Sequence, residues 1–330
     1  HTISMAFDAI LRSDTPRTNW TVSNPVLQGI LPLMDEEPSV LLQDKKIENR
    51  QINAVVKHFW VINPKHHFYT TLGTQFKKST FVTTDGQLLE DGSVFGFFNN
   101  GFDNDLQLQW NDSFLSTHYK TSIGKVILKQ GVSMHYYNWK LNQTESRKKS
   151  AFVVLPDFLA KVDFSRARKL TLNYQLKTDF AEVDRLGNRF YLKSYNSVYK
   201  GNEQLGMALR HSAYGYYSQF SMFRGVMFAT SISYSKKIKG QQQNVQFINT
   251  GRYLTTTMVM NPEERSHLML NFNKKVNQFK IGLKSTLSKT EYLQTLNTNQ
   301  LTNTNTAIGF DVSIKTLYEK LPVVEVGFKA

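Results

Sequence analysis

The chain contains no cysteine. That excludes a disulfide-stapled secreted domain and any thiolate zinc site, and it fits either a cytosolic or a bacterial envelope origin. No run of about 18 apolar residues occurs, so no transmembrane helix is predicted. A transmembrane barrel stays open, because its strands show lipid only every second residue and its mean hydropathy stays low, here −0.39. Leu-rich helical periodicity is also missing. Proline is scarce, 8 in 330 residues, and Pro16, Pro25, Pro32 and Pro38 are concentrated in one connection. There is no GxSxG, HExxH, GxGxxG or P-loop pattern, so no catalytic constellation is predicted and the chain reads as a non-enzyme. Acidic residues are outnumbered, giving a formal charge of +14. The longest basic block is only Arg147 to Lys149, so neither a nucleic-acid tail nor a nucleic-acid partner is expected. His1 is not an initiator Met and no signal peptide is visible, which reads as a processed chain or a piece of something longer.

What the sequence does have is Tyr, Phe, Thr, Val, Asn and Ser in residue-by-residue alternation, the period of strands with one apolar face. From Lys169 to Gly240, Leu170, Leu172, Tyr174 and Leu176 share one face of a first strand. Leu205, Met207, Leu209 and Ala213 align in a second, and Val226, Phe228, Thr230, Ile232 and Tyr234 in a third. Similar stripes run through Ile3 to Leu11, Ile52 to Ile62, Phe68 to Phe76, Val126 to Tyr136 and Phe158 to Phe164, then recur after Leu268. Leu106, Leu108 and Trp110 share a face that Leu115, Thr117 and Tyr119 do not, and a β-bulge near Asp112 would explain the change. The apolar piece VLQGILPLM reads as a loop folded onto the strands or into a lumen.

Strand length and connection order set the expected fold class. Many strands exceed the roughly 9–11 residues that a tilted strand needs to cross a bilayer, against about 5–6 in a typical soluble sheet. Short turns fall near residues 63, 122, 166, 223, 276 and 319, and long polar loops near 30, 90, 145, 190, 250 and 297. Short turns on one rim and long loops on the other are the layout of an outer-membrane barrel with its short side periplasmic. The expectation is an all-β, antiparallel transmembrane β-barrel covering residues 1–330, with about thirteen strands visible. An odd number with both ends inside strands implies an incomplete barrel, a segment of a larger protein.

LPDFLAKVDFS, followed by RKLTLNYQLKT and a loop ending in GNEQL, resembles the barrel region of the TonB-dependent receptors of Bacteroidota. The family's Pro-led strand, LxLxY strand and Gly-Asn-x-x-Leu loop exit correspond to Pro156, Leu170-Leu172-Tyr174 and the loop motif Gly201, Asn202, Leu205. LSTHYKTSIGKVILKQGVSMHYY resembles the family's Tyr-turn-Gly-Lys strand pair. Glu203 stands where the family usually has Pro. The resemblance implies a Gram-negative outer-membrane receptor that takes up a ligand, its barrel of about 22 strands in all. It also implies outer-membrane lipid around the barrel, and TonB, a plug domain, a surface lipoprotein lid or other envelope-complex subunits as partners. The plug, the TonB-interacting box and the N-terminal domain have no counterpart in residues 1–330, so energised transport cannot be read from them.

In a barrel, Leu170, Leu172, Tyr174, Leu176, Val226, Phe228, Ile232 and Tyr234 face lipid, while Lys161, Lys177, Arg210, Lys280, Lys284 and Lys315 face a polar lumen holding water, a plug or an anionic solute. Trp60, Trp139, Tyr136 and Tyr234 suit interfacial aromatic girdles. Gly201-Asn202 reads as a turn with positive φ. His66-His67, Asp35-Glu36-Glu37 and Asp103-Asn104-Asp105 read as ordinary exposed or acidic turns, so neither metal nor cofactor is expected. Two other readings fit the same residues: a structural barrel subunit of an envelope assembly or secretion complex, and a soluble β-rich enzyme or glycan-binding module.

Overall fold

A computed structural model describes residues 1–34, 37–318 and 322–330. Its strands, in chain order, are β1 (Thr2–Asp14), β2 (Arg17–Val22), β3 (Ser39–Asn63), β4 (His66–Leu88), β5 (Val94–Gly96), β6 (Asp105–Ile123), β7 (Val126–Asn142), β8 (Ser146–Ser165) and β9 (Arg168–Asp179). They continue as β10 (Phe190–Ser194), β11 (Ser197–Lys200), β12 (Ala208–Ser221), β13 (Val226–Ile248), β14 (Gly251–Val276), β15 (Phe279–Leu296), β16 (Asn299–Thr316) and β17 (Glu325–Lys329). Apart from the short β2, β5, β10 and β11, thirteen strands form one antiparallel meander in which each pairs with the next.

Directly opposed residues in a ladder share a face, so the register sorts every side chain. One row runs Met5, Val56, Leu72, Leu115, Met134, Val154 across six strands. Another runs Leu172, Gly215, Ile232, Leu268, Leu287, Ile308. Both lie on the same face, and each of the six residues in the first row is at least 39% exposed. The other face is polar for most of its height and carries the buried core only at the end away from the short turns.

That core is built by three connections that fold back over the sheet. Val26, Leu27 and Leu31, from the VLQGILPLM segment, join Leu41, Phe97, Phe102, Leu192 and Val198. A second cluster joins Phe81, Leu106, Leu108 and Leu141 to Val183, Leu186, Tyr191, Tyr199 and Leu205, and on to Val245 and Leu254. β4 and β14 are seven ladder steps apart, which is over 30 Å on a flat sheet at about 4.8 Å per step. Side chains of both meet in one cluster, so the sheet curls around this inner face.

Several expectations change. The ladders of β6 with β4 and with β7 run unbroken past Asp112, so there is no bulge. Leu106, Leu108 and Trp110 point inward because the folded-back connections cover them there, and Leu115 points outward where nothing does. The regions near 145, 250 and 297 are not long loops. β7–β8, β13–β14 and β15–β16 run as continuous ladders to tight turns at 143–145, 249–250 and 297–298. Their Thr, Asn and Gln residues lack an apolar stripe but still make main-chain ladders. Register shifts do occur elsewhere, among them one in β13–β14, where pairing jumps from Lys237–Glu263 to Lys239–Met260 beside Asn261 at φ 49°. β8 runs through Pro156 rather than starting there, and pairing with β9 begins one residue later, at Asp157, so the missing N–H falls where the β9 ladder has stopped. Trp139 faces inward, edge-on to Phe180. The short turn expected near 319 and the Asp35-Glu36 pair lie outside the described residues.

Candidate functional site

The register brings the sequence-selected side chains together in two groups. Leu170, Leu172, Tyr174 and Leu176 on β9 and Val226, Phe228, Ile232 and Tyr234 on β13 share the outer, apolar face. Lys161, Lys177, Arg210, Lys280, Lys284 and Lys315 share the inner face with the core clusters. On that inner face like charges sit directly opposite one another, Lys177 and Lys237 flanking Arg210 and Lys280 facing Lys315. Such pairs repel, and carboxylates are interleaved. Arg210 Nε lies 3.1 Å from Asp179, Lys237 Nζ 2.8 Å from Glu263, and Lys315 Nζ 3.6 Å from Glu325. Lys284 is opposite Asp311. Two imidazole–carboxylate pairs line the same wall: His118 Nε2 to Asp157 at 2.8 Å and His135 Nδ1 to Asp112 at 2.9 Å. A hollow of about 570 Å³ opens beside them, lined by Lys57, Tyr69, Phe114, His118 and Lys129 among others.

At the far end, the segment between β9 and β12 closes over the inner face. Its anchor is Asp85 on β4, which has no exposed surface. Gln43 Nε2 donates to Asp85 Oδ1 at 2.8 Å, and so does the Leu192 N–H at 3.1 Å. Among the described residues Oδ2 has no hydrogen-bond partner. Burial pushes this carboxyl up to about 7, against the two hydrogen bonds and with help from nearby Asp103. Lys45 lies over the rings of Phe81 and Tyr191, and burial holds its ammonium below the ordinary range. The Arg189 guanidinium donates to the Phe102 and Phe98 carbonyls and tethers the segment to the β4–β6 connection.

The loop motif ties the other side. Asn202 Nδ2 donates to the Thr256 carbonyl on β14 at 3.1 Å, its Oδ1 accepts from the Gln204 N–H, and Leu205 is buried in the core. Gly201 does not have the positive φ expected of it. It is glycine because a Cβ there would lie 2.4 Å from the Gly187 carbonyl and 2.6 Å from that of Arg185. β11 adds a short parallel ladder to β14 from Ser197–Arg252 to Tyr199–Leu254. Above this seal lies an open hollow of about 560 Å³, lined by uncharged groups that include Asn19, Trp20, Asn24, Tyr195 and Asn196.

Asp85, Arg189 and the hollow at the mouth were missed in the sequence. TTDGQ reads as a turn, and only the apolar Phe81 and Leu88 beside it hint at a strand. Among the described residues no group of three or more acidic or imidazole side chains could hold a metal. What the arrangement offers chemically is binding: a wall of mixed charge below, and an amide- and aromatic-lined mouth above.

No family model and no curated protein matches the chain. Solved structures do. The siderophore receptor PiuA of Acinetobacter baumannii matches over 98% of this chain and 51% of its own, at a TM-score of 0.58 and 10% identity. The Serratia marcescens hemophore receptor HasR, solved with its hemophore HasA and heme, matches over 98% and 58%, at 0.55 and 12%. The FpvAI–pyocin S2 complex matches over 95% and 46%, at 0.50 and 6%. The chain thus spans about half the length of the receptors it matches. At these identities the likeness is one of fold, that of part of a TonB-dependent receptor barrel. It lends no support to the Bacteroidota lineage implied by the strand motifs.

Proposed function

We propose that this chain is barrel wall and mouth of a TonB-dependent outer-membrane receptor in a Gram-negative envelope. The observation that carries the reading is the outer face, where apolar rows run across neighbouring strands and stay exposed. A patch of that extent is far beyond the few hundred Å² that a soluble monomer normally shows. In lipid the same rows are buried and the polar inner wall is hydrated. Leu170, Leu172, Tyr174, Leu176, Val226, Phe228, Ile232 and Tyr234 then face acyl chains. Lys161, Lys177, Arg210, Lys280, Lys284 and Lys315 face the lumen, where a plug domain docks and responds to TonB.

The role is capture and passage rather than catalysis. A ligand settles among the uncharged side chains of the mouth and enters when the β9–β12 segment and the plug rearrange. The barrel that contains this wall, extracted in detergent, is expected to migrate faster unheated than boiled, as a closed barrel does. A soluble monomer obtained without detergent would sink the reading.

A further inference from the structure

On the outer face, three side-chain rows from the Val56–Leu72 row toward the mouth, one lateral row reads Arg50, Lys78, Gln109, Lys140, Lys148. Each residue is directly opposite the next, so four cations share one line on five strands. We propose that this ladder is a binding site for a membrane lipid whose headgroup carries two phosphates, held in the leaflet on the mouth side. The inference rests on the apolar face meeting lipid.

Four observations point to that occupant. First, the height is right. Lys78 lies about 12 residues from the short turn at His66, which on a strand tilted by about 40° is roughly 30 Å, the thickness of the hydrocarbon core. The ladder therefore falls where headgroups begin. Second, the row lacks counter-ions. On the inner face the opposed groups around Arg210 and Lys315 have carboxylates beside them, whereas the one ion pair to this row among the described residues is Arg50 with Glu48, at 3.8 Å, and Glu48 is held by Lys46 at 2.9 Å. Opposed like charges repel, and an anion from outside the chain would relieve them. Third, the cations fall into two pairs, Arg50 with Lys78 and Lys140 with Lys148. Gln109 separates them, so the pairs stand on the order of 10 Å apart, a span for two phosphates on one headgroup rather than for a single phosphodiester. Fourth, a groove of about 300 Å³ opens at the ladder, lined by Gln109, Asn111, Asn138, Lys140 and Lys148 over Phe76. Its amides suit the hydroxyls of a sugar headgroup, and Phe76 continues the apolar face below.

The test uses the whole chain in detergent micelles doped with a diphosphorylated disaccharide lipid, its dephosphorylated form, or neither plus inorganic pyrophosphate. Bound lipid is counted by native mass spectrometry. Wild type should hold the diphosphorylated lipid at least about tenfold more tightly than the dephosphorylated one. Lys78→Gln/Lys140→Gln/Lys148→Gln should lose that preference, and Lys140→Gln alone should weaken it severalfold. Lys57→Gln/Lys120→Gln/Lys129→Gln, with the same charge change on the inner face, should keep it. Equal binding by wild type and the ladder variant, or of the two lipids, overturns the proposal, as does full competition by pyrophosphate. Those results leave the barrel reading intact. A chain that is soluble without detergent and binds no lipid in any form sinks both.

Discussion

Asp85 is a carboxyl placed where water cannot reach it. Unfolded, it titrates near 3.8, and in the folded chain near 7. Between those values the folded state holds more protons than the unfolded one. Stability of the mouth therefore falls as pH rises through that window, by at most about 4 kcal/mol. Segment 180–207 should be better protected from protease at pH 5 than at pH 8. Asp85→Asn, neutral at both, should remove the difference, and a wild type with no pH dependence would refute the account. At Gly201 the neighbours are backbone carbonyls, which cannot swing aside as a long side chain could. Gly201→Ala is expected to destabilise docking of the segment by roughly 2 kcal/mol, seen as new cleavage within 180–207 while the strands stay resistant. Neither residue could be understood from the sequence: Asp85 depends on Leu192, 107 positions along the chain, and Gly201 on a chain reversal that sets the Gly187 backbone beside it.

Among the elements, the hairpins are much longer than a bilayer requires. β13 and β14 have 23 and 26 residues, against about 9–11 for a crossing. Their inner halves carry the outward apolar stripe and their outer halves do not. This explains what was legible. Alternation around Leu172 or Ile232 shows a strand because an apolar side chain stands out every second residue. TLNTNQLTNTNT has no such contrast, and a polar ladder held by main-chain bonds looks like a loop. Trp139 was misassigned for a related reason: alternation tells which residues share a face, not what covers that face. Orientation can be tested directly because the chain has no native cysteine. Thr298→Cys, in the β15–β16 turn, should react with a membrane-impermeant maleimide on intact cells. Gln278→Cys, in the β14–β15 turn, should react only after the outer membrane is opened. The reverse pattern would invert the assignment of the rims.

At the scale of the whole molecule, the formal charge of +14 is not spread evenly in kind. Inside, the cation groups around Arg210 and Lys315 are interleaved with carboxylates, whereas the outer ladder at Arg50 to Lys148 is nearly bare. Total charge is read from composition, but this division exists only once the register is known, because a shift of one residue would exchange the faces. The same register also fixes an order of events. Most neighbouring strands of the meander meet across a few residues of turn, the exceptions being those joined by the folded-back connections. The mouth instead needs Gln43 to reach the Leu192 carbonyl across 149 positions and Tyr199 to reach Thr256 across 57. Contacts so distant in sequence form slowly. The β9–β12 segment is made before β14 but cannot complete its parallel ladder until β14 is in place. Assembly therefore runs from wall to seal, and a chain arrested before Arg252 would have its wall begun and its opening unclosed.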